Sequence, residues 1–397
     1  MVLAKAGGSK VKTRRLMMLA IGMAVAALTA ALAGIVTPVH SAPVLPQNFT
    51  NSQFVSGLTN PTDMEFAPDG RLFVTEDAGR VRIAKPDGTL STFLNISTKV
   101  DSLGERGLLA LTFDPGFSTN HYLYLHYTRK ATSTTPPHNR VVRVTASGDK
   151  AVSGSEKLIL RLGNQSATNQ FPQFMGGALD FGKDGKLYVA TGDGDTPGKA
   201  QKLTNLFGKM LRIDKDGTIP TDNPFYSKAS GNNRAIWALG LRNPFKFAIQ
   251  PATDPTAPDT IFINDVGKNT WEEINQLQKG ANYGWPVHEG VANDPPYVDP
   301  IFAYGHGSTN TTGCAITGGA FYNPPTVLFP QEEYEGDYFF ADFCSGWIRK
   351  REATGEVSGF ATGLERPIDL EVSQAGELYY LSRSTTGIVG KIGFASN

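Results

Sequence analysis

Only two cysteines and six histidines occur in this chain of 397 residues. Cys314 and Cys344, with no histidines at metal-ligand spacing beside them, make a poor zinc set. The histidines stand at 40, 121, 126, 138, 288 and 306, so the long interval from 139 to 287 has no imidazole. Net charge is also lacking. Lysine plus arginine and aspartate plus glutamate number 37 each, with no basic run, which leaves nothing to support nucleic-acid binding. No long amphipathic helix period stands out. After Ala42 no stretch is apolar enough to span a bilayer.

Glycine (43) and proline (25) are plentiful, and aromatics make up 10% of the chain. That mix suits many short strands joined by turns. A repeat gives it order. FAPDGRLFV at 66–74, FGKDGKLYV at 181–189 and VSQAGELYY at 372–380 each read as a short strand, a glycine turn and a second, alternating strand. YLYLHYT at 122–128, TIFINDVG at 260–267 and DYFFADFCSG at 337–346 share the second strand. Six such centres predict an all-β chain, a six-bladed β-propeller of four-stranded antiparallel blades in one domain over residues 42–397. The competing fold is a pair of β-sandwiches. The centres are spaced more widely than minimal blades require, which predicts long connecting loops of the kind that build sites. Short helices are expected at Trp271–Gln278 and near Ala200–Phe207.

Residues 1–41 read as a secretory signal peptide. Lys10, Lys12, Arg14 and Arg15 precede an apolar run from Leu16 to Val36, and Val39-His40-Ser41 offers a cleavage site near Ser41. The alternative is an uncleaved N-terminal membrane anchor. Export favours a disulfide between Cys314 and Cys344, against the alternative of two buried thiols.

Several segments together resemble the soluble glucose/sorbosone dehydrogenase family, quinoprotein sugar dehydrogenases that use pyrroloquinoline quinone (PQQ). They are GERGLLALTFDPGF (104–117), GGALDFGKDGKLYVATGD (176–193), WALGLRNPF (237–245), DVGKNTWEEINQLQKGANYGWP (265–286), ITGG (316–319), DFCSG (342–346) and LERPIDL (364–370). The resemblance runs in order through nearly all of the chain after residue 42. It implies a six-bladed propeller with PQQ and calcium at one end of the central channel. It also implies a sugar substrate oxidised to a lactone and an external electron acceptor. By the same resemblance Arg242, Asn243, Arg366, Asp193 and Glu105 belong to the cofactor site. Gly267 would ligate the PQQ-bound calcium through its carbonyl, with Lys268 replacing a neighbouring proline. Glu273 and Tyr283 would hold a second calcium. Arginine suits such a site because its planar fork binds carboxylates bidentately, and calcium accepts backbone carbonyls.

The chain departs from the family where the chemistry is most demanding. The family's general base is a histidine, and its position here is Phe174, beside Gln173. Neither side chain takes a proton at neutral pH, and a positioned base is worth roughly 10²–10⁴-fold in rate. Asp193, Asp180, Glu105 and His306 are the substitutes on offer. Cys344 and Ile368 stand where the glucose enzymes of the family carry a further lysine and arginine, which its paired-cysteine branch, the one this chain resembles, commonly lacks. Two readings result: a secreted PQQ-dependent aldose dehydrogenase, or a non-catalytic, calcium-stabilised propeller that binds carbohydrate or a cell-surface partner. In the second, Phe171, Phe174 and Phe245 would form an aromatic floor. A calcium-dependent lactonase is a third reading, but the clustered carboxylates it needs cannot be assembled from the sequence.

Overall fold

The computed structural model describes residues 42–254 and 256–395. The signal-peptide or anchor segment, 1–41, lies outside the described residues.

Six antiparallel sheets form the blades. The first blade comprises Pro61–Phe66, Leu72–Glu76, Arg80–Ala84 and Leu90–Asn95. The second comprises Leu108–Phe113, Tyr122–Arg129, His138–Ser147 and Lys157–Asn164, with Lys150–Ala151 paired to its third strand. The third comprises Gly176–Phe181, Lys186–Thr191, Lys209–Asp214 and Ile236–Leu239. The fourth comprises Pro244–Gln250, Thr260–Asp265, Trp271–Gln276 and Phe302–Gly305. The fifth comprises Ile316–Phe321, Tyr338–Asp342, Trp347–Arg351 and Val357–Ala361. The sixth joins Pro367–Val372, Leu378–Ser382 and Gly387–Phe394 to the N-terminal strand Phe49–Leu58. All six repeat centres read from the sequence fall on second strands. These are fully or almost fully buried because each is hydrogen-bonded on both edges and packed on both faces by neighbouring blades.

The first strands of successive blades touch one another in a closed circuit and line the central channel. Between the blades lie apolar clusters, such as the one that packs Phe73, Phe113, Leu123 and Tyr127 together. Midway down the channel is a cavity of about 170 Å³ lined by Asp63, Glu65, Asp180, Lys246, Asp369 and Glu371. Lys246 Nζ donates to Asp63 and, at 2.7 Å, to Asp369, so one side chain from the fourth blade ties the first and sixth. Burial works against the charge on Lys246, but the two carboxylates outweigh it and raise its affinity for the proton.

Both expected helices are absent. Trp271–Gln276 is a strand, paired to Thr260–Asp265 and Phe302–Gly305, and Glu272 to Asn275 are all buried in it. Sheet pairing on both edges overrode the helix propensity of WEEINQ. In the segment 200–207 the chain makes turns after a single 3₁₀ turn at Pro197–Lys199. The buried Lys209 sets this path: its Nζ donates to the carbonyls of Lys199 (3.1 Å), Ala200 (2.7 Å) and Phe207 (2.6 Å), and helical carbonyls would not be free for it.

Cys314 and Cys344 form a disulfide, with a Cα–Cα distance of 5.7 Å and a sequence separation of 30. It ties the segment before the fifth blade to the turn after that blade's second strand. By the chain-entropy account such a loop contributes about 3–4 kcal/mol. Cys314→Ser/Cys344→Ser protein should therefore melt about 5 °C lower than wild type. Calorimetry checks this, and an unchanged Tm would show that the bridge adds no stability.

Candidate active site

Every blade brings the start of its first strand and the end of its second strand to the same end of the ring. Glu105, Asp193, Arg242, Asn243, Gly267 and Arg366 all lie at such points, so the topology gathers them at one mouth of the channel. Asp180 does not belong there. It lies four residues along its strand from Gly176, roughly 13 Å deeper at the usual rise per residue. It faces the channel cavity, accepts a hydrogen bond from Thr112 Oγ1 at 3.1 Å, and is pushed up to about 6 by burial.

Asp265 organises the mouth. It is buried at the end of its strand, and its two carboxylate oxygens accept the backbone N–H groups of Arg242 (2.9 Å) and Asn243 (2.6 Å). Burial, followed by repulsion from Glu273, raises its proton affinity well above the ordinary carboxylate range, while the two N–H donors oppose this. Asn243 passes the constraint on, because its Oδ1 accepts the N–H of Gly176 at 2.9 Å. The glycine pair needs its freedom here. Gly176 has φ 63°, and a Cβ on it would lie 2.7 Å from the Gly192 nitrogen. Behind the pair, the buried His126 Nδ1 is 2.8 Å from the Gly177 carbonyl. Burial lowers this imidazole to about 4, so at neutral pH it is uncharged and donates through Nδ1.

Arg242 is the centre of the mouth. Its guanidinium lies 3.8 Å from the Phe174 ring centroid and 5.5 Å from that of Trp285. Its Nη1 donates to the Val266 carbonyl at 2.9 Å and to the Gly267 carbonyl. The expected cofactor arginine and the expected calcium-ligating carbonyl are thus bonded to each other. Asp193 is held on the other side. Its N–H donates to the Arg242 carbonyl, Oδ2 accepts Trp285 Nε1 at 2.8 Å, and Oδ1 accepts the Asp195 N–H at 2.8 Å. Burial raises its proton affinity, partly offset by Trp285. Glu105 is open to solvent and accepts the Phe174 N–H through Oε2 at 2.7 Å. The protein atoms around it raise its proton affinity, while that hydrogen bond, Arg242 and Arg383 lower it.

The remaining expectations divide. Lys268 is exposed. The Gly267 N–H donates to Glu272 Oε2, and Glu289 Oε1 accepts four successive N–H groups, 268 to 271. His306 is tied to Glu272, Nε2 to Oε1, at 2.7 Å. Glu273 is a buried strand residue whose oxygens take the Gly290 N–H (2.6 Å) and Asn275 Nδ2 (3.1 Å). The Tyr283 hydroxyl donates to the Gln276 carbonyl, and its main chain, the part expected to face calcium, donates its N–H to the Leu239 carbonyl. No group of three or more His, Cys, Asp or Glu arranged for a metal ion occurs among the described residues. Phe171 projects into solvent at 79% exposure, and Phe245 packs into the core with Ile368 and Leu381, so with Phe174 they make no common floor.

Sequence reasoning missed Trp285, Asp265, Glu272 and Arg383. Asp265 had a signal, an acid closing an apolar strand in TIFIND. Trp285 lies in the quoted NYGWP but carries no charge to single it out. Glu272 has a consequence that can be measured. Burial raises its carboxyl from 4.5 to about 8. The native state therefore holds a proton that the unfolded chain releases near its ordinary value. The stability this contributes is full below pH 4.5 and is lost as pH rises through about 8. Glu272→Gln should flatten this decline in urea-unfolding experiments between pH 5 and 9, and a parallel decline in both proteins would contradict the assignment.

With the geometry in hand, comparison with known proteins becomes informative. Residues 58–388 match the family model described as glucose/sorbosone dehydrogenase. The chain is 31% identical over 352 residues to the aldose sugar dehydrogenase YliI of Escherichia coli (strain K12), covering 84% of this chain and 90% of that protein. It is 29% identical over 287 residues to quinoprotein glucose dehydrogenase B of Acinetobacter calcoaceticus, covering 66% and 57% of the two chains. The apo crystal structure of the soluble aldose sugar dehydrogenase of Escherichia coli superposes with a TM-score of 0.73 at 26% identity, covering 87% of this chain and 100% of that one. This chain belongs to the glucose/sorbosone dehydrogenase family.

Proposed function

We propose that this protein is an exported quinoprotein aldose dehydrogenase, which oxidises the hemiacetal carbon of a sugar to a lactone with PQQ and calcium and passes the electrons to an external acceptor. One observation carries the reading. At the channel mouth a desolvated arginine, Arg242, lies between two aromatic rings, with two carbonyls at its edge and the Glu105 and Asp193 carboxylates beside it. Membership of the family supports it, as does the quinoprotein relative. The disulfide supports export.

The residues present fit the cofactor. PQQ is planar and carries three carboxylates, and Arg242 and Arg366 are the cations for them. The carbonyls of Val266 and Gly267 converge on one guanidinium nitrogen, so they are aimed where a cation is stabilised, and they are the oxygen type calcium takes. Calcium-bound PQQ supplies a hydride acceptor for the sugar's C1. The protein's own residues orient the sugar and take the remaining proton.

Phe174 cannot take that proton, and Glu105 replaces it. Glu105 reaches the backbone nitrogen of Phe174, the very residue at the family's base position, through Oε2. Glu105 is exposed to solvent, where the C1 hydroxyl can approach it. Asp193 has both oxygens committed to Trp285 and Asp195 and acts as an orienting group.

The test is a PQQ titration of metal-stripped protein with added calcium, followed by aldoses and a dye acceptor. Binding and dye reduction are expected, with Glu105→Gln lowering kcat by about 10²–10⁴-fold and Phe174→His restoring part of the loss in that background. Failure to bind PQQ would leave the non-catalytic propeller. Binding with full turnover in the Glu105→Gln protein would remove Glu105 as the base.

A further inference from the structure

The sixth blade brings a second arginine to the mouth. Arg383 directly follows the strand Leu378–Ser382, and its N–H donates to the Arg366 carbonyl at 3.0 Å. Ser382 Oγ donates to the Glu365 carbonyl, so residues 365–366 and 382–383 are stitched side by side. The backbones of Arg366 and Arg383 are therefore held side by side at the mouth. The electrostatic reach of Arg383 extends to the centre of the mouth, because Glu105 is stabilised by Arg383 as well as by Arg242.

The charge requirement of the site makes this pairing matter. Two positions that are cationic in the glucose enzymes of the family, though commonly not in its paired-cysteine branch, are uncharged here. Cys344 is locked in its disulfide, and Ile368 is 2% exposed in an apolar cluster with Phe245 and Phe343. Neither can be replaced by a local adjustment. Arg242 has Nη1 engaged with two carbonyls and its face stacked on Phe174. Arg383, by contrast, is 30% exposed, and among the described residues its side-chain hydrogen bond is a single one, from Nη2 to Asp77 Oδ2 at 2.9 Å. A guanidinium has five N–H donors, so most of its fork is available to a ligand.

We infer that Arg383 is a cofactor-binding residue, holding a carboxylate of the tricarboxylate quinone in place of the lysine and arginine that the glucose enzymes carry at the positions of Cys344 and Ile368. This rests on the quinoprotein reading above. The competing role is a staple, in which Arg383 serves only to hold the sixth blade to the Asp77 turn of the first. A staple fails equally when either end is removed, whereas a ligand-binding arginine does not need its aspartate.

The experiment compares full-length wild-type, Arg383→Gln, Arg383→Lys and Asp77→Asn proteins. PQQ is titrated with calcium present and no sugar, followed by tryptophan fluorescence, and each apo protein is melted. Loss of a charge-assisted hydrogen bond to a carboxylate corresponds to about a 10- to 100-fold rise in Kd. That rise is expected for Arg383→Gln, with partial recovery in Arg383→Lys. Asp77→Asn is expected to keep a Kd near that of wild type, although its apo Tm falls as far as that of Arg383→Gln. An unchanged Kd in Arg383→Gln, or an equal rise in Asp77→Asn, overturns the assignment while leaving the quinoprotein reading intact. A wild-type protein that binds no PQQ overturns both.

Discussion

The ring depends on its closure. Phe49–Leu58, the first strand of the chain, pairs antiparallel with Gly387–Phe394, the last, and so completes the sixth blade with residues from both ends. Without that pairing the outer edge of Gly387–Phe394 would expose an unsatisfied row of backbone donors and acceptors. With it, every first strand has a neighbour on each side and the loops at the mouth acquire fixed positions. The site is built from separate segments spread between residues 105 and 383, and only a closed circle holds them in register.

Within the mouth, a single buried carboxylate extends that order to the functional groups. Asp265 holds the backbones of Arg242 and Asn243, Asn243 holds Gly176, and the glycine pair sets the path of Phe174. These bonds are shielded from water, where hydrogen bonds are strongest. The side chains that face a ligand are therefore fixed by backbone contacts from behind.

Much of this was legible in the sequence, for a physical reason. Second strands buried on both faces must be apolar and must be preceded by a turn, so FAPDGRLFV and its five relatives marked all six blades. Arg242 and Asn243 could be read because their neighbours formed a specific motif. WEEINQ misled because strong helix formers were placed in a strand buried on both faces, where pairing decides. Arg383 and Trp285 could not be read, since their meaning comes from distant loops meeting at one end of a ring. Glu105 was legible as a member of the site but not as the residue touching Phe174, a contact between positions 69 apart in sequence.

Lys246 has a consequence for cooperativity. It reaches from the fourth blade to Asp63 of the first and Asp369 of the sixth, a charged tie across the inside of the ring. The fourth blade does not neighbour either partner around the ring, so this one ammonium couples it to blades that it does not adjoin. Loosening any of the three would leave a buried charge without its partner, which makes the ring's interior a single cooperative unit.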